Sequence, residues 1–206
     1  MLASIGSVAQ GVLNGVVSNG EGMVMGAGEP VVLVLASGRG ERFLASGGSG
    51  SKLQAVLGGE SVLERTLAAV RASGLCWHLE DAGHPGMGDS IAAAVSATRD
   101  ASGWLILPGD LPLVRPETLR CVAAELARHA VVMPLYRGQR GHPVGFSAAC
   151  RDGLLALRGP QGAAAVVEAQ AALEAVGKLE LDDPGIVTDI DTVQDLARAA
   201  RLLAGN

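Results

Sequence analysis

Aromatic side chains are nearly absent from this chain: two Trp, two Phe and one Tyr in 206 residues. Half the residues are apolar, but chiefly Ala, Val and Leu, so a core must be built by helices packed on a sheet through small and branched side chains. Positive charge is also in deficit, with 16 Lys and Arg against 21 Asp and Glu and a formal net charge of −5. No basic stripe could release counterions from a nucleic acid, which is excluded as the main partner. An anionic ligand must instead be met by cations gathered at one place. Cys76, Cys121 and Cys150 are odd in number, far apart and without a Cys-x-x-Cys pair, which excludes a disulfide framework. Buried reduced thiols in a cytoplasmic protein are the expectation. His78, His84, His129 and His142 lack metal-ligand spacing. No apolar run approaches the roughly 18 residues of a membrane span. No basic segment precedes the first apolar stretch, which argues against a secretory signal. The length suits one substantial domain. Residues 1–29, rich in Gly, Ser, Val and Asn, are expected to form a flexible N-terminal extension, and residues 30–206 the domain.

What is present is concentrated between residues 31 and 52. Val31-Val32-Leu33-Val34-Leu35-Ala36 reads as a strand buried on both faces. It stops at Ser37-Gly38-Arg39-Gly40-Glu41-Arg42, and a Gly/Ser-rich loop then leads to Lys52-Leu53. Gly38 and Gly40 allow a sharp turn and a close approach of backbone N–H groups to an anion. Arg39, Arg42 and Lys52 add charge at the same place. The stretch is neither a Walker loop, lacking Gly-Lys-Ser/Thr, nor a dinucleotide fingerprint, lacking the third glycine. A tight strand-to-helix turn and a triphosphate cradle both fit it, and the cations favour the cradle.

Strands and helices then alternate. Ser61 and Glu64 read as a capping box before a helix that ends at Gly74. Trp77–Glu80 is a short strand, and a Gly-rich turn at 83–88 leads into a helix from about Asp89 to Thr98. Trp104 to Leu107 is a second buried strand, ending at Pro108-Gly109-Asp110. Pro116 opens a helix. Val131–Pro134 and Pro143–Phe146 are strands, Ala148–Leu157 and Gly162–Ala172 helical segments, Lys178–Leu181 and Ile186–Asp189 short strands. Thr192 caps a final amphipathic helix. The expected fold is a single α/β domain, three-layered and doubly wound around a mostly parallel, Rossmann-like sheet. In such a sheet the two strand ends sit side by side, so phosphate and the Asp110 carboxylate would meet across a divalent cation such as Mg²⁺. Asp189 and Asp191 offer further carboxylates. Asp110 and this pair can equally be turn residues.

Five short motifs, in order over residues 31 to 200, give the chain a family resemblance. Leu35-Ala36-Ser37-Gly38-Arg39-Gly40-Glu41-Arg42 with Lys52-Leu53 is similar to the opening signature of the MobA-like nucleotidyltransferases. Gly86-Met87-Gly88-Asp89-Ser90 resembles their nucleoside-contacting turn, and Gly109-Asp110-Leu111-Pro112 their metal aspartate motif. Arg140-Gly141-His142-Pro143 and Asp189-Ile190-Asp191-Thr192 resemble two later signatures. Within the family the likeness is greatest to the cytidylyl branch that acts on molybdenum cofactor. The resemblance implies transfer of CMP from CTP to the terminal phosphate of a molybdopterin-type acceptor, with pyrophosphate released and Mg²⁺ (or Mn²⁺) as cofactor. It assigns Arg42, Lys52 and Asp110 to catalysis. Leu35, Ala36, Ser37, Gly38, Arg39, Gly40, Gly88, Asp89 and Ser90 fall to the nucleotide, Arg140 and His142 to the acceptor, and Asp110 and Asp191 to the metal. A molybdoenzyme or its chaperone is the implied protein partner. Ser37, with a Cβ where guanylyl enzymes carry glycine, favours CTP over GTP. His142 is either a substrate contact or an imidazole tied into its turn, and Met87 reads as a gap-filler.

Three departures from the pattern bear on function. Phe43 to Ser51 is longer than usual, so Lys52 is expected to swing in only with nucleotide. The interval from Gly74 to Gly86 is short, as if one sheet edge were trimmed. Pro160 and Ala164 replace an aspartate and an arginine on the acceptor side. A sugar or alcohol phosphate is therefore a competing acceptor, and a nucleotide-binding module with little turnover a competing class.

Overall fold

Val31 to Leu35 are buried end to end, and the two faces of this strand serve two different cores. The computed structural model describes residues 28–38 and 40–205. The expected extension up to residue 27 and the nucleotide-binding assignment of Arg39 lie outside the described residues. The first strand is β1 (Pro30–Leu35), followed by α1 (Glu41–Ala45), a β2–β3 hairpin (Val56–Leu57 and Glu60–Ser61), α2 (Val62–Ser73), β4 (Cys76–Glu80), α3 (Met87–Ala97) and β5 (Gly103–Pro108). Then come α4 (Pro116–Glu125), β6 (Val131–Tyr136), β7 (Gln139–Arg140), β8 (Val144–Ser147), α5 (Arg151–Leu155), α6 (Ala164–Ala171), β9 (Val176–Glu180) and α7 (Val193–Ala204). One sheet runs β4-β1-β5-β8-β6-β7, with β9 also on β6. The long ladders β1–β4, β1–β5 and β6–β9 are parallel, while β8 runs antiparallel between β5 and β6. Most paired residues are thus parallel, and β4 forms one edge.

Alternation along β1 and β5 sorts side chains into layers. Val31, Leu33, Trp104 and Ile106 pack with Ile91 and Val95 of α3, Leu154 of α5 and Val166 of α6. Val32, Val34, Leu105 and Leu107 pack with Leu67 and Val70 of α2 and Leu119 and Val122 of α4. Helices therefore cover both faces, as a sheet of β-branched and aliphatic strands requires. A third cluster gathers Phe43, Leu53, Leu57, Val62, Ile190 and Ala199 beneath α7.

Four local expectations differ. Ile186–Asp189 is not a strand. Asp183 accepts from the Gly185 N–H at 2.8 Å and Pro184 fixes the first turn, so Pro184–Val187 winds as a 3₁₀ helix. Ala148–Leu157 divides into a 3₁₀ turn at Ala148–Cys150 and the five-residue α5. At Ser61 only half of a capping box forms: its hydroxyl accepts from Glu64 N–H at 3.1 Å, but the Glu64 carboxylate turns to Arg71. The box is complete at Thr192, whose partner Asp195 returns the bond. The stretch before Lys52 is not a free loop. Phe43 of α1 is 3% exposed in the third cluster, and the Ser46 hydroxyl accepts from Val193 N–H at 3.0 Å. Lys52 stands beside Asp110 in this arrangement of the loop.

Candidate active site

The backbone brings the chemistry-bearing residues to the carboxyl ends of β1 and β5. Gly109 N–H donates to Leu35 O (2.9 Å), and the buried Thr66 of α2 donates to Gly109 O (3.0 Å), fixing the turn that carries Asp110. Ile190 N–H donates to Asp110 O (3.0 Å). Ile190 is fully buried, so its neighbours Asp189 and Asp191 flank Asp110. Gly40 has φ +64 at the N-terminus of α1, a conformation that favours glycine. At Gly38 a Cβ would meet nothing within 4 Å, so that side of the loop is open space.

Lys52 joins these pieces. Its Nζ lies 2.5 Å from Asp110 Oδ2 and 2.8 Å from Asp191 Oδ1, with all three side chains largely buried. Arg42, an exposed side chain, reaches Asp191 Oδ2 at 2.8 Å. Burial alone would lower the Lys52 pKa, but the charge and hydrogen bond of Asp110, helped by Asp191, raise it above the ordinary value. Burial would raise Asp191, yet Lys52 and then Arg42 leave it lowered. Asp189 has no such partner: burial, followed by repulsion from Asp191 and Asp110, pushes its carboxyl up.

A cavity of about 360 Å³ opens beside this cluster. Leu35, Ser37, Gly38, Lys52, Leu53, Met87, Ser90 and Asp110 line it with Pro160, a residue expected on the acceptor side, and with His84 and Pro85, which no motif marks. Ser37 and Ser90 share a hydroxyl hydrogen bond of 2.8 Å. Gly40, Arg42 and Asp191 line an adjoining cavity of about 280 Å³ that also contains Gly38 and Lys52. Arg140 and His142 are elsewhere, in a third cavity of about 380 Å³. Met87 belongs to the first and third and is 49% exposed, so it is a wall between them and not a gap-filler. His142 is held through its backbone, N–H to Ile186 O at 3.0 Å, and its Nδ1 is buried without a hydrogen-bond partner.

Two of the residues that the motifs assign to the nucleotide contact the loop after α5. Asp89 Oδ2 accepts from Gly159 N–H at 2.9 Å, and Gly88 N–H donates to Gly159 O at 2.8 Å. These two therefore hold the loop after α5 against the start of α3, and neither lines the first cavity. Gly86 shares this contact, since a Cβ there would lie 2.4 Å from the Gly159 carbonyl. Ala36 also stands outside the cavity and packs on the third cluster. His84 could have been noticed from its place beside the Pro85-Gly86 turn. Its Nε2 meets the buried Glu80 carboxylate at 3.1 Å.

An open parallel-rich sheet with glycines, cations and a carboxylate at its strand ends is the architecture of a nucleotide-handling enzyme. Solved structures share it. The fold is similar to Rv0371c of Mycobacterium tuberculosis H37Rv, at TM-score 0.70 and 23% identity over 86% of this chain and 100% of that one. The manganese complex of Rv0371c gives TM-score 0.67 at 22% identity, over 85% of this chain and 100% of that one. A nucleotidyl transferase from Methanothermobacter thermautotroptrophicus matches at TM-score 0.69 and 20% identity, over 86% of this chain and 99% of that one. Residues 68–176 match the MobA-like NTP transferase domain, and the chain belongs to that family. The class which that family defines is the NTP transferase domain. Among curated proteins, the bifunctional protein GlmU of Stenotrophomonas maltophilia (strain R551-3) is 36% identical over 73 residues, 35% of this chain. The matched segment spans only 15% of that protein's length. Among the described residues no helix is long and apolar enough to cross a membrane.

Proposed function

We propose that the chain transfers a nucleoside monophosphate from a nucleoside triphosphate, CTP being favoured, to a phosphorylated acceptor, releasing pyrophosphate. The observation that carries this reading is the placement of Lys52 between Asp110 and Asp191 at the mouth of the glycine-loop cavity. Arg42 and Lys52 are placed to hold the β and γ phosphates, with loop N–H groups near Gly38 and Gly40. Leu35, Ser37 and Ser90 bound the nucleoside. Ser37 narrows the cavity relative to glycine, which favours the smaller pyrimidine.

A divalent ion, Mg²⁺ or Mn²⁺, belongs to this reading. Asp110 Oδ1 is buried without a hydrogen-bond partner, and the donors nearby are hard carboxylate oxygens, which suits such an ion. Among the described residues no three or more His, Cys, Asp or Glu form a self-sufficient metal site. Asp110 and Asp191 would therefore supply one or two ligands and phosphate oxygens the rest. The ion would supply Lewis-acid polarisation of the α-phosphate. The protein's part is to align two anions, neutralise developing charge and release pyrophosphate, with no covalent nucleophile. Rv0371c, which shares the fold, is known as a manganese complex.

The motif resemblance implies molybdopterin as acceptor, in the cytoplasm, with a molybdoenzyme or its chaperone downstream. A sugar or alcohol phosphate is the second reading, favoured by the replacement at Ala164, which lines the cavity that holds Arg140 and His142. Pyrophosphate release from CTP and Mg²⁺ in the presence of candidate acceptors tests the whole reading. Nucleotide binding without release from any acceptor would reduce the protein to a binding module.

A further inference from the structure

The cavity of about 380 Å³ that contains Arg140 and His142 is walled unlike its neighbour. Its floor is Ile91, Ile106, Met133 and Phe146, all buried, contributed by α3, β5, β6 and β8. The exposed polar side chains Arg140, Gln161 and Glu168 stand at the rim. His142 is the one polar group set deeper. Burial lowers its pKa, against a hydrogen bond to the Ile106 backbone and then the pull of Asp110 and Asp189.

A sugar or a pterin carries hydrogen-bonding groups around its whole body. Against this floor each such group would leave water and find no partner, which costs binding. An apolar body gains with every methylene covered. We propose that the third cavity binds a phosphate monoester of an apolar alcohol, branched alkyl or aromatic, with its body on the Ile91–Ile106–Met133–Phe146 floor and its phosphate toward His142 and Arg140. This rests on the nucleotidyl-transfer reading above and selects among its acceptors. In the step itself an oxygen of the acceptor phosphate forms a bond to the α-phosphorus of the nucleotide. The bond from that phosphorus to the bridging oxygen breaks, and pyrophosphate leaves with the electron pair; nothing is oxidised or reduced. The product is a nucleoside diphosphate linked to the apolar alcohol.

The test supplies the whole chain with CTP and Mg²⁺ and compares 3-methylbutyl phosphate, ribose 5-phosphate and molybdopterin, reading both pyrophosphate release and acceptor binding by calorimetry. The alkyl phosphate should be preferred by roughly tenfold to a hundredfold in kcat/KM and in affinity, the discrimination an apolar pocket achieves. Equal treatment of the three, or preference for the sugar phosphate or the pterin, overturns the inference. Val167→Asp, on the half-buried face of α6, should erase the preference by about tenfold or more while the thermal shift caused by CTP stays as in the parent. A preference untouched by that change also overturns it. Preferential binding of the alkyl phosphate with no pyrophosphate released from any acceptor would uphold this cavity's chemistry and defeat the transfer reading instead.

Discussion

Lys52 and Asp110, 58 residues apart in the chain, meet with Nζ 2.5 Å from Oδ2 in a part-buried setting. The pair fixes the point where the glycine loop and the end of β5 converge. It also sets the first expectation. Asp110→Ala should lower turnover by roughly two to three powers of ten, the scale of losing one preorganised electrostatic group. Steady-state pyrophosphate release measures this, and a near-normal rate would remove Asp110 from the chemistry.

Removing the cation instead leaves Asp110 facing Asp191 with only the exposed Arg42 to offset their charge. Lys52→Met should therefore lower Tm in metal-free buffer, by less than the roughly 3–5 kcal/mol that breaking a fully buried pair costs, because water reaches this site. Added Mg²⁺ or Mn²⁺ should restore more stability to the variant than to the parent, since the ion binds only the folded form. Thermal melts with and without metal decide it; equal shifts in both proteins would separate Lys52 from the metal position.

Asp89 touches the loop after α5 and lines none of the three cavities described, so its effect should be indirect. Asp89→Ala removes a charged acceptor from Gly159 N–H, a bond worth about 1.5–3 kcal/mol. That loop supplies Pro160 to one cavity and Gln161 and Gly162 to another. KM should rise for nucleotide and acceptor together, with a smaller change in kcat. A rise in nucleotide KM alone would return Asp89 to direct nucleotide contact.

Ser37 and Ser90 hold each other across the first cavity. Ser37→Gly deletes both that bond and the Cβ that, on the proposed reading, would stand beside the base. The ratio of kcat/KM for GTP over CTP should rise by roughly tenfold, within what one methylene-sized change in a pocket supplies. Parallel assays with the two nucleotides give the answer, and a parent enzyme that already prefers GTP would reverse the choice of CTP.

His142 gives a pH dependence of defined sign. Burial holds its pKa below the ordinary 6.5, so below that pH the unfolded chain takes up the proton first. Its contribution to stability is intact above about pH 6.5 and declines as the pH falls. Asp189, whose pKa is raised, changes stability in the opposite direction with pH, so the two partly offset. His142→Asn should flatten the fall in Tm between pH 7 and 5 relative to the parent. An unchanged slope would show that the ring titrates alike in both states.

The sequence makes the donor half of the molecule easier to read than the acceptor half, and the reason is physical. Val31 to Leu35 form an unbroken apolar run because both faces are covered, and glycine and charge mark its end. Asp110 closes an apolar stretch and Lys52 closes a Gly/Ser-rich loop, contrasts visible in one dimension. Asp89 looks like any carboxylate in a glycine turn; only the fold shows that Gly159 waits 70 residues on. The 3₁₀ helix at Pro184–Val187 carries the same Ile and Val that a strand would, and the deciding contact is a buried aspartate bonding its own turn. The apolar floor of the third cavity is scattered over four elements, so no local pattern announces it.

The antiparallel β8 divides the sheet into two parallel blocks, β4-β1-β5 and β6 with β9. Every loop that contacts the first cavity, except the one after α5, leaves the first block, whereas the walls of the third come mainly from the part of the chain between β6 and α6. Substitutions can accumulate in the second block and retune what is modified while leaving the activating machinery intact. A seam of this kind lets one ancestral donor site be paired with new recipients, and Met87, the residue common to both chambers, is where such a remodelled half would have to be fitted to the old one.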